Sequence, residues 1–284
     1  FGEISLLSEL TGPDFAIITN IGESHLEQLG SRKGIAKAKL EIGSGLKRGG
    51  SLIIDGDEPL LTETKDKRII ACGYHRKADV QIGRVSGNED GQFFSLNGES
   101  TSFYLPLLGK HNIKNACFAI VVARRLNISD LSIQNGLKLV RPTAMRLERL
   151  RGKNDSLLIN DAYNASPASM KAAIDTLQVL TAYPKKVAVL GDMYELGENE
   201  KKMHQDVAEY IQTQVDQVIT IGQKGKWIGD ALLAKRWPGK VTICASKEEA
   251  LAVIEPILTP STVVLFKASR GLALETLVRK LICQ

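Results

Sequence analysis

The chain has 284 residues, enough for a sizeable core and for two domains of ordinary size. Its net charge of +5 is spread along the length, with no long block of like charge and no basic run interleaved with aromatics, which argues against nucleic acid as the main partner. The four cysteines, Cys72, Cys117, Cys244 and Cys283, lie far apart without CxxC or Cys/His ligand spacing, so they read as buried thiols of a reducing cytoplasm. No apolar run approaches the roughly 20 residues that span a bilayer, and a soluble, cytoplasmic monomer is expected. Phe1 is not Met and "FGEISLLSEL" opens without the features of a domain start, so the chain is expected to be a fragment whose upstream part is missing.

In chain order, "FAIITN" (residues 15–20) is a short apolar, β-branched run ending in a polar loop. A helix follows. Projecting residues 31–47 at roughly 3.6 residues per turn puts Ile35, Ala36, Lys39, Ile42 and Leu46 on one stripe, with Lys33, Lys37 and Glu41 opposite. Lys39 is the misplaced lysine of this helix. Either its stem packs while the ammonium snorkels to water, or its amine is buried and neutral, with a lowered pKa. A neutral amine reacts with carbon dioxide to give a carbamate, an oxygen-bearing metal ligand; Asn20 and His25, at the strand exit, would then complete a Mg²⁺ site.

"SLIID" and "RIIAC" read as further strands, and residues 78–106 as short alternating runs broken by turn signals, a small antiparallel patch on an α/β core. Helices are expected over 110–126 and 131–139. In "GKHNIKNACFAI", His111 and Asn112 follow a glycine at a helix start, where Asn can cap. Asn112 and Asn115 also share a helical face, which suits hydrogen bonding to a flat heterocycle such as adenine.

Pro142 in "VRPTAMRLERL" breaks the preceding helix and marks the hinge. Beyond it, apolar strands alternate strictly with helices (167–180 and 200–212 among them), which predicts a parallel sheet wound on both faces. Ligands bind such sheets where strands end, at the loops after Asn160, Leu190, Ile221 and Lys267. "LLINDAYNASPASM" delivers Asp161, Tyr163, Asn164 and Ser166 to that rim, with Pro167 suited to the first helical turn. A capped turn explains Ser166 but not the Asp, Tyr and Asn crowded before it. "VLGDMYELGENE" adds Asp192, Glu195 and Glu198, and "FKASRG" adds Lys267, Ser269 and Arg270; acidic and basic loops on one rim suit the two ends of a zwitterion. "ITIGQKGKWIG" lacks GxGxxG spacing, and no GxxxxGK[ST] loop occurs in the chain.

Taken in order, Asn20 in "NIGESHLE", Lys39 in "AKAK", "GKHNIKNA", Arg146 in "MRLE" and Asp161 in "NDAYNASP" resemble the landmarks of the Mur ligases, ATP-dependent amide-forming enzymes of peptidoglycan precursor synthesis. Within the family, "FGEISLLSEL", "DAYNASPASM", "GDMYELGE" and "KASRG" are similar to the branch that adds D-alanyl-D-alanine to UDP-N-acetylmuramoyl-tripeptide. The resemblance implies an α/β chain: a partial central ATPase domain with a small antiparallel patch over 1–143, then a doubly wound Rossmann-like C-terminal domain over 144–284. It implies ATP and Mg²⁺, with Lys39 carbamoylated and His25 a metal ligand beside the γ-phosphate. Asn20, His111, Asn112 and Asn115 would serve the nucleotide, the two latter at adenine, and Arg146 and Asp161 would bind ribose and phosphates across the hinge. Tyr163, Asn164, Ser166, Lys267, Ser269 and Arg270 would help hold the acceptor and donor peptides. "NASP" stands where the family usually has NANP, and "KASR" where it has KGSR. The family's uridine-nucleotide domain, phosphate loop and a metal-binding Glu lie upstream of a segment like "FGEI". Another Mur-type or folylpolyglutamate-type ligase, or a non-catalytic nucleotide-binding module, are the alternatives.

Overall fold

The computed structural model describes residues 1–23, 26–88 and 90–283, with 26 and 27 by their backbone alone. The chain divides into two compact units, Phe1–Arg141 and Pro142–Gln284.

Unit 1 starts with a helix, α1 (Glu3–Thr11), where the sequence showed no domain start. There follow β1 (Phe15–Ile18), α2 (Leu26–Leu29), α3 (Arg32–Leu40), β2 (Ser51–Asp55), α4 (Pro59–Thr62) and β3 (Ile69–Gly73). Next come β4 (Val80–Asn88), β5 (Gly91–Leu96), β6 (Ser102–Leu105), α5 (Lys110–Arg125) and α6 (Asp130–Lys138). The helix expected over 31–47 stops at Leu40, followed by a 3₁₀ turn at Glu41–Gly43. The cause is tertiary. The Ser8 hydroxyl donates to the Ile42 carbonyl at 2.5 Å and accepts from the Gly45 N–H at 3.2 Å, so α1 takes the groups that would continue the helix. A Cβ at Gly45 would sit 2.0 Å from the Ser8 carbonyl oxygen, so only glycine admits this approach.

The six strands form one sheet in sequential order. β1 to β4 run parallel, with β3 and β4 paired only at Cys72↔Val80 and Gly73↔Gln81, and β4 to β6 run antiparallel. The antiparallel patch is thus a continuation of the parallel sheet. Strand alternation splits the core: Leu52 and Ile54 pack with Ile18, Ile35 and Leu61 on one face. On the other, Ile53 packs with Phe94, Phe103, Ile113 and Ile120. Each such side chain contributes roughly 1.5–3 kcal/mol by leaving water.

Unit 2 contains β7 (Glu148–Arg151), β8 (Leu157–Asn160), α7 (Pro167–Gln178), β9 (Lys185–Leu190), α8 (Glu200–Val207) and β10 (Gln217–Ile221). It ends with α9 (Lys226–Ala234), β11 (Lys240–Cys244), α10 (Lys247–Ile254), β12 (Thr262–Lys267) and α11 (Glu275–Leu281). Helices α7 and α8 are shorter than expected, α8 giving way to a 3₁₀ turn at Ala208–Tyr210. The sheet order is β11-β10-β9-β12-β8-β7. It is parallel except for β7, which the expectation of strict alternation missed. The link from β7 to β8, residues 152–156, is too short for a crossover and forces a hairpin. Leu158, Val187, Val189, Val264 and Phe266 pack with residues of α10 and α11. The intervening Leu157, Ile159, Ala188, Leu190 and Leu265, also buried, belong to the opposite face. Cys72, Cys117 and Cys244 are buried as expected; Cys283, beyond the last helix, is exposed.

Candidate active site

In unit 1 the predicted residues lie after β1, on α3 and in the first turns of α5. Asn20 follows β1, and its carbonyl accepts from Lys39 Nζ at 2.9 Å. Lys39 is half-buried rather than on the buried stripe, which is carried by Ile35, Ala36 and Ala38. Burial lowers its pKa, and no carboxylate pairs with it among the described residues. His25 lies outside the described residues. Among those described, no cluster of three or more His, Cys, Asp or Glu side chains could hold a metal ion.

At the exit of β2, Lys114 of α5 bridges Asp55 Oδ1 (2.7 Å) and Asp57 Oδ2 (2.8 Å). Asp57 also accepts from the N–H groups of Tyr74 (3.1 Å) and His75 (2.8 Å). Burial opposes its anion, but Lys114 and these N–H groups outweigh burial and hold the carboxyl below its ordinary range. Tyr74 donates its hydroxyl proton to the Lys110 carbonyl at 2.9 Å, tying the strand rim to the first residue of α5. Here stand His111 and Asn115, both exposed, and Asn112, whose Nδ2 donates to the Leu108 carbonyl at 2.7 Å. Asp55, Asp57 and Lys114 escaped the sequence reading; the signal was the acidic "DGDE" at the end of an apolar strand. A cavity of about 560 Å³, lined in part by Ile54, Asp57, Pro59, Ile69, His75 and Asp79, contains none of the residues singled out from sequence.

In unit 2 the ends of β8, β12 and β9, adjacent in the sheet, bring their loops together. Lys267 Nζ donates to Asp161 Oδ2 at 2.6 Å and to the Asn164 carbonyl at 3.1 Å. Its side chain is 3% exposed and that of Asp161 14%, so these two are an interior pair rather than open ligand groups. Asp161 Oδ1 accepts from the Leu147 N–H at 3.1 Å. The guanidinium of Arg146 lies 4.4 Å from the centre of the Tyr163 ring. Ser166 caps α7: its hydroxyl accepts from Ser169 N, and Ser169 Oγ accepts from Ser166 N in return. Asn164 is exposed, with its Oδ1 bonded to Ala165 N. Ser269, 3% exposed, accepts from Tyr194 N at 3.0 Å and donates to the Ala165 carbonyl at 3.3 Å. Arg270 is exposed, 3.4 Å from Glu275.

Asp192, expected among the open acids, is 5% exposed and faces inward. Its Oδ1 accepts from Lys224 N (2.9 Å) and Gly225 N (2.7 Å), and its Oδ2 from the Tyr194 hydroxyl (3.3 Å). The exposed acids of that loop are Glu195 and Glu198. Beneath it, the fully buried His204 accepts from Met193 N at Nε2 (2.9 Å), which leaves Nδ1 to donate to the Glu200 carbonyl (2.7 Å). This imidazole is neutral; burial lowers its pKa. A lone histidine in mid-helix carried no sequence signal of this role.

Two α/β units whose strand-end loops hold these motifs in order define a class, and the family models agree. The Mur ligase middle domain matches residues 1–123 and the Mur ligase glutamate ligase domain residues 145–270. The chain belongs to the Mur ligase family. It is 43% identical over 282 residues to the UDP-N-acetylmuramoyl-tripeptide--D-alanyl-D-alanine ligase of Bacillus subtilis, covering 99% of this chain and 62% of that protein. The protein of the same name from Escherichia coli is 30% identical, covering 99% and 62%. Among solved structures, MurF from Acinetobacter baumannii superposes with a TM-score of 0.83 at 28% identity, covering 98% of this chain and 62% of that one. The chain thus spans about 62% of the length of these curated relatives. Among the described residues no helix is long and apolar enough to cross a membrane.

Proposed function

We propose that the full-length protein containing this chain is an ATP-dependent ligase that joins D-alanyl-D-alanine to UDP-N-acetylmuramoyl-tripeptide. The observation that carries this reading is the 43% identity along 99% of the chain to a ligase of that name. In the reaction the tripeptide's terminal carboxylate attacks the γ-phosphorus of ATP, releasing ADP and giving an acyl phosphate. The amine of D-alanyl-D-alanine then attacks the acyl carbon, phosphate leaves, and the amine gives up its proton. This chain has no GxxxxGK[ST] loop, and by itself it is not expected to hydrolyse ATP.

Lys39 fits a divalent cation through one chemistry. As an ammonium it would repel the ion; a half-buried amine with a lowered pKa has a neutral fraction that adds carbon dioxide, loses a proton and becomes an anionic oxygen donor. Bound Mg²⁺ would supply charge neutralisation at the transferring phosphoryl group. His25 and Asn20 are the further ligand candidates, and Mg²⁺ is part of the proposal. Asn112, Asn115 and His111 would contact the base, and Arg146 the phosphates. Tyr163, Asn164 and Arg270, all exposed, would meet the peptides. Ser166, Lys267, Ser269 and Asp161 are spent on one another and on backbone groups, and would hold those loops in place.

Two measurements test this. A panel of amino acids and dipeptides offered to the full-length enzyme should show D-alanyl-D-alanine as the preferred acceptor; preference for a single amino acid would redirect the assignment to another ligase branch. Lys39→Ala should lose activity by orders of magnitude and recover part of it with a short-chain carboxylic acid. Undiminished activity would sink the carbamate.

A further inference from the structure

Arg146 sits in an unusual turn. Met145 and Leu147, on either side of it, both have positive φ (60° and 50°), a conformation that non-glycine residues occupy only when their surroundings impose it. The surroundings are identifiable. Glu148 Oε2 accepts from Met145 N at 2.9 Å and from Asn160 Nδ2 at 3.1 Å, which fastens the turn to the end of β8. Asp161 Oδ1 holds Leu147 N, and the Met145 carbonyl accepts from Tyr163 N at 3.2 Å. Between two pinned neighbours the Arg146 side chain leaves the backbone in one direction, and its guanidinium meets the face of Tyr163 at 4.4 Å. No carboxylate pairs with that guanidinium among the described residues.

The geometry points to Glu148 and Tyr163 as positioning residues for Arg146: Glu148 fixes the turn and the Tyr163 ring fixes the plane of the guanidinium. A guanidinium stacked flat on a ring, an arrangement that the 4.4 Å separation permits, presents its face to the ring and leaves its N–H edge open. That edge is the part that binds phosphate in a two-pronged way. The stack therefore prepares Arg146 for an anionic ligand instead of competing with it, and lowers the entropy that binding must remove. The inference rests on the reading above that Arg146 meets the phosphates of ATP. Tyr163 would thus act through Arg146 as well as toward the peptides.

The test is steady-state kinetics of the full-length enzyme with ATP as the varied substrate, with thermal melting of each variant alongside. Tyr163→Leu should raise the KM for ATP about three- to fivefold, the scale of an exposed cation–π contact, and Tyr163→Phe, which keeps the ring, should restore it. Glu148→Ala should raise the same KM about tenfold, the scale of a lost hydrogen bond to a charged group. Glu148→Gln, which retains one carbonyl acceptor, should recover most of that. In each case KM should move more than kcat. If Tyr163→Leu is insoluble, Tyr163→His replaces it, with a smaller rise expected. A Tyr163→Leu enzyme with unchanged KM for ATP overturns the proposal, as does a Phe variant as impaired as Leu. Arg146→Ala separates the two levels: a raised KM for ATP there with none in Tyr163→Leu removes only the positioning role. No rise in Arg146→Ala removes the reading beneath it as well.

Discussion

Replacing Lys267 by methionine should be among the most damaging single changes in unit 2. The ammonium lies in a site 3% exposed, with acceptors at Asp161 Oδ2 (2.6 Å), the Asn164 carbonyl (3.1 Å) and the Asp161 carbonyl (3.5 Å). Methionine keeps most of the stem volume, so cavity formation is a minor part of the loss. What remains is a carboxylate 14% exposed without its counter-charge. Breaking one side of a buried pair costs about 3–5 kcal/mol. Asp161 retains the Leu147 N–H donor, which puts the expected loss near the lower bound, about 3 kcal/mol. Asp161→Asn should cost a similar amount by stranding the ammonium. The double variant Asp161→Asn/Lys267→Met should lose about 2 kcal/mol less than the sum of the singles. Urea unfolding followed by tryptophan emission measures this cleanly, because both tryptophans, Trp227 and Trp237, belong to unit 2. A Lys267→Met loss below about 1 kcal/mol, or additivity within about 0.5 kcal/mol, would refute the reasoning.

His204 makes unit 2 acid-sensitive. Its unfolded pKa is about 6.5 and burial lowers the folded value, so below that pH the unfolded chain binds a proton that the native state refuses. Stability is then fully present above about pH 6.5 and falls as pH drops toward the folded pKa, with a slope of up to about 1.4 kcal/mol per pH unit. Unfolding midpoints at pH 7 and 5.5 should separate further in the native sequence than in His204→Gln; equal separations would exclude the histidine as the source. Gly222→Ala should destabilise by about 2 kcal/mol or more. Gly222 has φ +98°, and a Cβ there would lie 2.3 Å from Asp192 Oδ1, the atom that receives two backbone N–H groups. A melting temperature within a degree of the parent would contradict this account of the Asp192 turn.

The parts of the fold that could be read in advance are those whose burial is two-sided. "KKVAVL", "QVITI" and "TVVLFK" are continuous apolar runs because parallel strands are covered on both faces. What escaped depended on partners distant in the chain. The end of α3 is set by Ser8, 34 residues before Ile42, and no local pattern announces it. β7 is a four-residue edge strand reading "ERLR", with too few apolar positions to stand out. In α1, Leu6, Leu7 and Leu10 are exposed, so its apolar residues mark no inward face within the described chain. The site divides in the same way. Local motif order singled out Asp161 and Lys267, yet their pairing spans 106 positions, and no local pattern announces that they brace one another. Asp192 read as an open acid because sequence shows which loop a carboxylate occupies and not which way it points.

The position of β12 has a consequence for how unit 2 comes into being. Among the described residues it is the last strand of unit 2, yet it lies between β8 and β9, which make their parallel ladders with it and not with each other. During synthesis β8 through β11 leave the ribosome with a gap in the middle of their sheet. The apolar faces of Leu158 and Val187 then wait for Val264 and Phe266, which arrive much later in the chain. A premature stop before residue 262 would remove the central rung of the unit, with the Lys267 brace, rather than trim its end.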